Sequence, residues 1–120
     1  MNDRRKEFNY DAAWTKKLES KEHWLLYWKQ QWLLTKYLRQ KDTILEIGVG
    51  SGFTANYLKN KNYTVTTLDI DNEKKPDIVA NIVDYELKSN YDIILAFEVF
   101  EHFHFNYLNT VLQMLHSHCN

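Results

Sequence analysis

Apolar residues recur at close to helical spacing through the first third of the chain, where Trp14, Leu18, Leu25, Trp28, Trp32 and Leu38 follow a repeat of three to four residues. The spacing predicts one or two amphipathic helices before residue 41, with Trp24, Trp28 and Trp32 succeeding one another at i, i+4. Large aromatics at this period usually serve packing, so a core stripe is expected. The other reading of the stripe is a wall that covers a pocket. This segment holds all four Trp of the chain and neither Gly nor Pro.

After residue 41 the pattern changes to strand, glycine loop, helix and three further strands. "TILEIG" is a short continuous apolar run with β-branched residues, as in a strand buried on both faces of a parallel sheet. Residues 51–60 read as a helix opening directly from the glycines. "YTVTTLDID" is a second strand ending in acids, "NEKKP" a turn, "DIVANI" a short third strand and "YDIILAF" a fourth. Residues 101–116 predict a closing helix. Alternation of this kind implies an α/β fold with parallel strands and right-handed crossovers. The link between the second and third strands, about half a dozen residues, is short for a crossover. Either its helix has shrunk to a loop or the third strand is placed irregularly.

Composition narrows the class without naming a function. The 120 residues fit one domain, and 44% hydrophobic content argues against disorder. Fifteen Lys and Arg against sixteen Asp and Glu give no overall charge that would draw the chain to nucleic acid or an anionic membrane. Cys119 is the single cysteine, so an intrachain disulfide and a cysteine metal cluster are excluded and a reducing, cytoplasmic compartment is expected. Apolar runs such as "WLLYW" are too short to span a bilayer, and "MNDRRKEF" lacks the apolar core of a signal peptide.

The chemistry concentrates in "LEIGVGSGFTANYL", residues 45–58. Gly48, Gly50 and Gly52 follow the first strand, where open α/β sheets bind ligands and a bare backbone can turn sharply and approach them. Asp69 closes the second strand, the place from which such folds hold ribose hydroxyls, with Asp71 as the alternative if the register slips. A dinucleotide loop would carry glycine where Phe53 stands. Glu46 beneath the loop would also repel a pyrophosphate and suit a cation.

These residues resemble the class I S-adenosylmethionine-dependent methyltransferases. "LEIGVGSG" is similar to the family's first motif, "LDID" to the acidic end of its second strand, "PDIVANIVDYEL" to the segment bordering the adenine, and "YDIILAFEVFEHF" to its fourth strand and following step. The resemblance covers residues 41–116. It implies a Rossmann-like methyltransferase fold with a partial parallel sheet in the order 3-2-1-4. Residues 41–120 would form the cofactor-binding half of that domain, and residues 1–40 a helical segment packing on the core or covering the pocket. It also implies S-adenosylmethionine as cofactor, held by Glu46, Gly48, Val49, Gly50, Gly52, Asp69, Ile70, Asn81, Ile82 and Phe97. Within that set Glu46 would face the methionine part, Asp69 would take the ribose hydroxyls and Ile70 would lie against the adenine. The family places an Asp at the adenine amino group; here the position falls on Asn81, whose carbonyl oxygen can accept, or on Asp84.

Methyl transfer by direct displacement needs chiefly alignment, and a base only when the acceptor arrives protonated. Glu98 and His102 are the candidate catalytic groups, with Glu101 and His104 beside them. No metal site is expected, because no single secondary structure gathers Glu98, His102 and His104 on one face. The expected function is a methyltransferase with a small-molecule acceptor. The alternative is a non-catalytic cofactor-binding module that needs a partner, and a dehydrogenase is a weaker third reading. Since the family's sheet continues beyond four strands, the chain reads as a fragment whose fourth strand is an open edge prone to self-association.

Overall fold

A computed structural model describes residues 20–97 and 99–120. Trp14 and Leu18 of the expected first helix, and Glu98, lie outside the described residues. Among the described residues one parallel sheet of four strands forms in the order β3-β2-β1-β4. Its strands are β1 (Thr43–Ile47), β2 (Thr64–Asp69), β3 (Ile78–Val79) and β4 (Ile93–Leu95). The helices are α1 (Lys21–Leu34), α2 (Phe53–Asn60) and α3 (Leu108–Ser117).

β1 is buried from Ile44 to Ile47 because β2 and β4 flank it and apolar layers cover both its faces. Its alternation divides the core in two. Leu45 and Ile47 pack with Leu68, Val111 and Leu115 toward α3, whereas Ile44 packs with Leu34, Ala55, Leu58 and Val65 toward α1 and α2. By the same alternation Glu46 sits on the Ile44 side.

The register is pinned by a repeated side-chain device. Thr43 gives its N–H (2.8 Å) and its hydroxyl (3.0 Å) to Asp92 Oδ2, and Asp92 N–H returns to Thr43 Oγ1 (3.1 Å). Thr67 and Asp77 repeat the same three bonds at 2.9, 3.2 and 3.0 Å. One clasp joins β1 to the residue before β4 and the other joins β2 to the residue before β3. A one-residue slip, which would turn every side chain to the wrong face, breaks all three bonds of a clasp. The bonds from Thr43 N–H, Asn120 and the Thr43 hydroxyl hold the Asp92 carboxyl below its usual range.

The structure chooses between the two readings of the β2–β3 link and corrects other expectations. The β2–β3 link carries only the 3₁₀ turn Asn72–Lys74, so its crossover helix has shrunk to a loop while β3 stays parallel. The closing helix does not start at Glu101. Phe100–His102 is a 3₁₀ turn, Phe103 is extended and buried, and after Phe105–Tyr107 the α-helix begins at Leu108. Insertion of Phe103 into the core outweighs helix continuity there.

The tryptophan stripe does not face the core either: Trp24, Trp28 and Trp32 are 49%, 61% and 50% exposed. α1 instead buries Gln30, Gln31 and Leu34. Gln31 Nε2 donates to Thr54 Oγ1 at 2.8 Å, which compensates half of that amide's burial. No described helix is long and apolar enough to cross a membrane.

Candidate functional site

At the carboxyl ends of β1 and β2 the chain encloses a cavity of ≈ 190 Å³. Its floor is the glycine loop. Gly48, Gly50 and Gly52 all adopt positive φ, at 80°, 59° and 86°. A Cβ on Gly48 would stand 2.8 Å from Val99 Cγ2, so the chain is bare there to let the loop close on the segment after β4. A Cβ on Gly50 would meet nothing within 4 Å, and that residue is bare for its left-handed turn at the cavity edge.

Asp69 fixes the loop. Its Oδ2 accepts from Val49 N–H and its Oδ1 from Asp71 N–H, both at 2.8 Å. Each carboxylate oxygen keeps a further lone pair for a ligand. Asp71 turns away, its Oδ1 capping the 3₁₀ turn through Glu73 N–H, and it does not line the cavity.

Glu46 is 3% exposed and its Oε1 has no hydrogen-bond partner. Burial first, then the negative charge of Asp69, push its carboxyl up to about 8, with Lys59 pulling the other way. A buried oxygen left without a donor at a cavity wall is the feature a cationic or hydrogen-donating ligand would relieve.

The structure gathers nearly the whole expected cofactor set. Glu46, Gly48, Val49, Gly50, Asp69, Ile70, Asn81, Ile82 and Phe97 all line the cavity, while Gly52 stands behind it as the N-cap of α2. Asn81 lines it and Asp84 does not. Asn81 Oδ1 accepts from Val83 N–H at 3.1 Å, and its buried Nδ2 is the atom without a partner. Asn81 thus enters the lining with one lone pair of its oxygen engaged and its amide nitrogen unpaired.

His102 lines the cavity, with Glu101 Oε2 at 3.9 Å from its Nε2, whereas Glu101 and His104 do not. His104 is spent on a turn, where its Nδ1 accepts from Asn106 N–H at 3.2 Å. Among the described residues no three His, Cys, Asp or Glu side chains converge as a metal set would.

Helix α1 supplies a wall of the cavity, through residues that the sequence reading did not name: His23, Tyr27 and Gln30 line it. Tyr27 stacks on Phe53, with ring centroids 5.2 Å apart and planes 16° from parallel, and Trp24 meets Phe53 edge-on at 5.2 Å. Residues 23, 27, 30 and 34 form a second helical row beside the tryptophans, and its polar members concealed it.

Parallel strands in the order 3-2-1-4, with a glycine loop at their carboxyl ends and an acid closing β2, make an α/β fold of the Rossmann-like kind. The methyltransferase-domain family model matches residues 17–120, and the chain belongs to that family. A comparison with curated proteins found none that matches.

Proposed function

We propose that the chain is a cytoplasmic S-adenosylmethionine-dependent methyltransferase that transfers a methyl group to a small-molecule acceptor by direct displacement. One observation carries the cofactor reading: Glu46 lies buried under the glycine loop, beside Asp69, with an oxygen that nothing in the protein satisfies. A carboxyl there can give up its proton to a cofactor bearing an ammonium and a sulfonium, whereas a pyrophosphate would offer it no positive charge to pair with. Family membership supports the transferase class.

Glu46 would hold the positive methionine end, and the backbone from Gly48 to Gly50 would lie along it. Asp69, already braced by two N–H groups, would accept from the ribose hydroxyls. Ile70 and Ile82 would sandwich the adenine, with Asn81 Nδ2 donating to a ring nitrogen and Phe97 closing the wall. When bound, S-adenosylmethionine supplies an electrophilic methyl on a sulfur that leaves neutral. The chain's own work would then be alignment and exclusion of water, to which the Tyr27–Phe53 stack would contribute. His102, which lines the wall, would take a proton from an acceptor that arrives protonated.

Calorimetric titration tests the reading. S-adenosylmethionine should bind with one-site stoichiometry and release a proton below pH 8, NAD should give no heat, and Glu46→Gln should weaken binding about tenfold or more. Binding of NAD in place of S-adenosylmethionine would overturn it.

The sheet edge favours a second reading, a cofactor-binding module completed by another strand. Among the described residues β4 pairs only with β1, and a parallel bridge from Tyr91 to Cys119 already starts a strand alongside. A second copy or a partner would add there. A cofactor-dependent shift in size-exclusion volume would support this reading, and a monomer in both states would remove it.

A further inference from the structure

We propose that the outward face of α1 docks the protein onto an anionic bilayer surface. The near-neutral total charge predicts no such contact; the arrangement on this one helix does.

Two adjacent rows at i, i+4 spacing make up that face. The first runs Trp24, Trp28, Trp32 and, one turn on, Lys36. The second runs Lys21, Leu25, Lys29 and Leu33. Every member of both rows is exposed, Leu25 to 55% and Leu33 to 48%. Between Lys21 and Lys36 the only acid is Glu22. The inner side of the same helix is occupied by Tyr27, Gln30, Gln31 and Leu34 against the protein. α1 therefore carries apolar side chains on its outer as well as its inner side, the outer ones interleaved with lysines.

What covers it follows from the residue types. A protein core would call for aliphatic knobs with few charges. Here the large groups are tryptophans, whose apolar ring and polar N–H suit a boundary that is greasy on one side and wet on the other. The cations are lysines, whose long stems lie along apolar surface while the ammonium reaches the headgroups. Lys36 Nζ lies 4.4 Å from the Trp32 ring centre, and Lys61 Nζ 5.5 Å from that of Tyr57.

Between them α1 and α2 leave a groove of ≈ 350 Å³ lined by Trp24, Trp28, Gln31, Trp32, Phe53 and Tyr57. Gln31, one of its lining residues, keeps a buried Oε1 with no hydrogen-bond partner. The groove gives acyl chains or headgroups a recess in an otherwise convex helix. Nothing in this docking needs a membrane-spanning helix; α1 would lie in the plane of the interface. Phe53 walls both this groove and the cofactor cavity, so the docked face adjoins the site without belonging to it.

Vesicle partitioning of the full 120-residue chain tests the proposal through co-sedimentation and tryptophan emission. Vesicles containing phosphatidylserine should pellet the protein and move its emission to shorter wavelength. Partition should be about tenfold or more stronger than on pure phosphatidylcholine and should weaken with salt. Trp28→Ser with Trp32→Ser should lower partition about tenfold on the anionic vesicles, with the melting temperature and S-adenosylmethionine affinity unchanged. Lys29→Glu with Lys36→Glu should abolish the preference for phosphatidylserine. The proposal fails if the chain partitions to neither vesicle type, if both types bind it equally, or if the two pairs of substitutions leave partition unchanged. It also fails if light scattering finds a dimer that the serine pair dissociates, since the face would then belong to a second copy.

Discussion

Two buried oxygens without a partner face each other in kind across the molecule: Glu46 Oε1 in β1 and Gln31 Oε1 in α1. Both belong to polar residues in segments that pack against the core, yet they respond to different physics. The Glu46 carboxyl can shed the cost of burial by keeping a proton, and it does so up to about pH 8. The Gln31 amide has no proton to exchange; it satisfies its donor on Thr54 and leaves the acceptor bare. Strand β1 thus holds a group whose state depends on solution conditions, and α1 holds one whose state depends only on contacts. The contrast separates a tunable site from a fixed wall.

The largest effect that would break this contrast is the pH dependence of stability. The folded chain keeps a proton on Glu46 that the unfolded chain releases near the ordinary value of 4.5, so stability falls as pH rises from about 4.5 to about 8 and then levels off. The loss should reach up to about 5 kcal/mol and should vanish in Glu46→Gln, as urea titrations at a series of pH values would record. A flat wild-type profile would remove Glu46 from the list of tunable groups.

Next in size is Leu34→Ala, which empties a fully packed position on the inner row of α1. It should cost about 3 kcal/mol by chemical denaturation, equally at every pH. Gln31→Leu removes both the bond to Thr54 and the orphan acceptor, so it should change stability by no more than about 1 kcal/mol in thermal melts. Smallest is Trp28→Ser on the outer row, expected within about 0.5 kcal/mol of wild type by the same melts. A cost like that of Leu34→Ala would mean that the tryptophans face a protein core after all.

The centre of the fold was legible because several local signals agreed there. The unbroken apolar run of "TILEI" needs two covered faces, and the glycines and Asp69 have few other uses in that position. α1 misled for a specific reason. Its tryptophans are the most hydrophobic-looking residues at helical spacing, but Tyr27 stacking on Phe53 and Gln31 bonding to Thr54 turn the helix so that the other row faces inward. Periodicity identifies a helix with apolar rows; it does not choose between two rows when both contain aromatics. The start of α3 was hidden because burial of Phe103 is a tertiary effect that no window over "EHFHFNY" contains. The bond from Val83 N–H to Asn81 Oδ1 is by contrast local, two residues apart, the kind of turn that Asn commonly makes.

The twin Thr–Asp clasps imply an order of assembly. Each makes the same three bonds, but Thr67 and Asp77 are 10 residues apart and Thr43 and Asp92 are 49 apart. Closing the longer loop costs about 1.4 kcal/mol more chain entropy, roughly a tenfold handicap in the rate of first encounter. On loop entropy alone the β2–β3 edge is expected to close before the β1–β4 junction, an order that φ-values at Thr67 and Thr43 would test. In that order, the central strand that carries Glu46 and leads into the glycine loop has only one neighbour until the later step. The ligand cavity would thus be among the last parts of the molecule to take shape, although its residues lie in the middle of the chain.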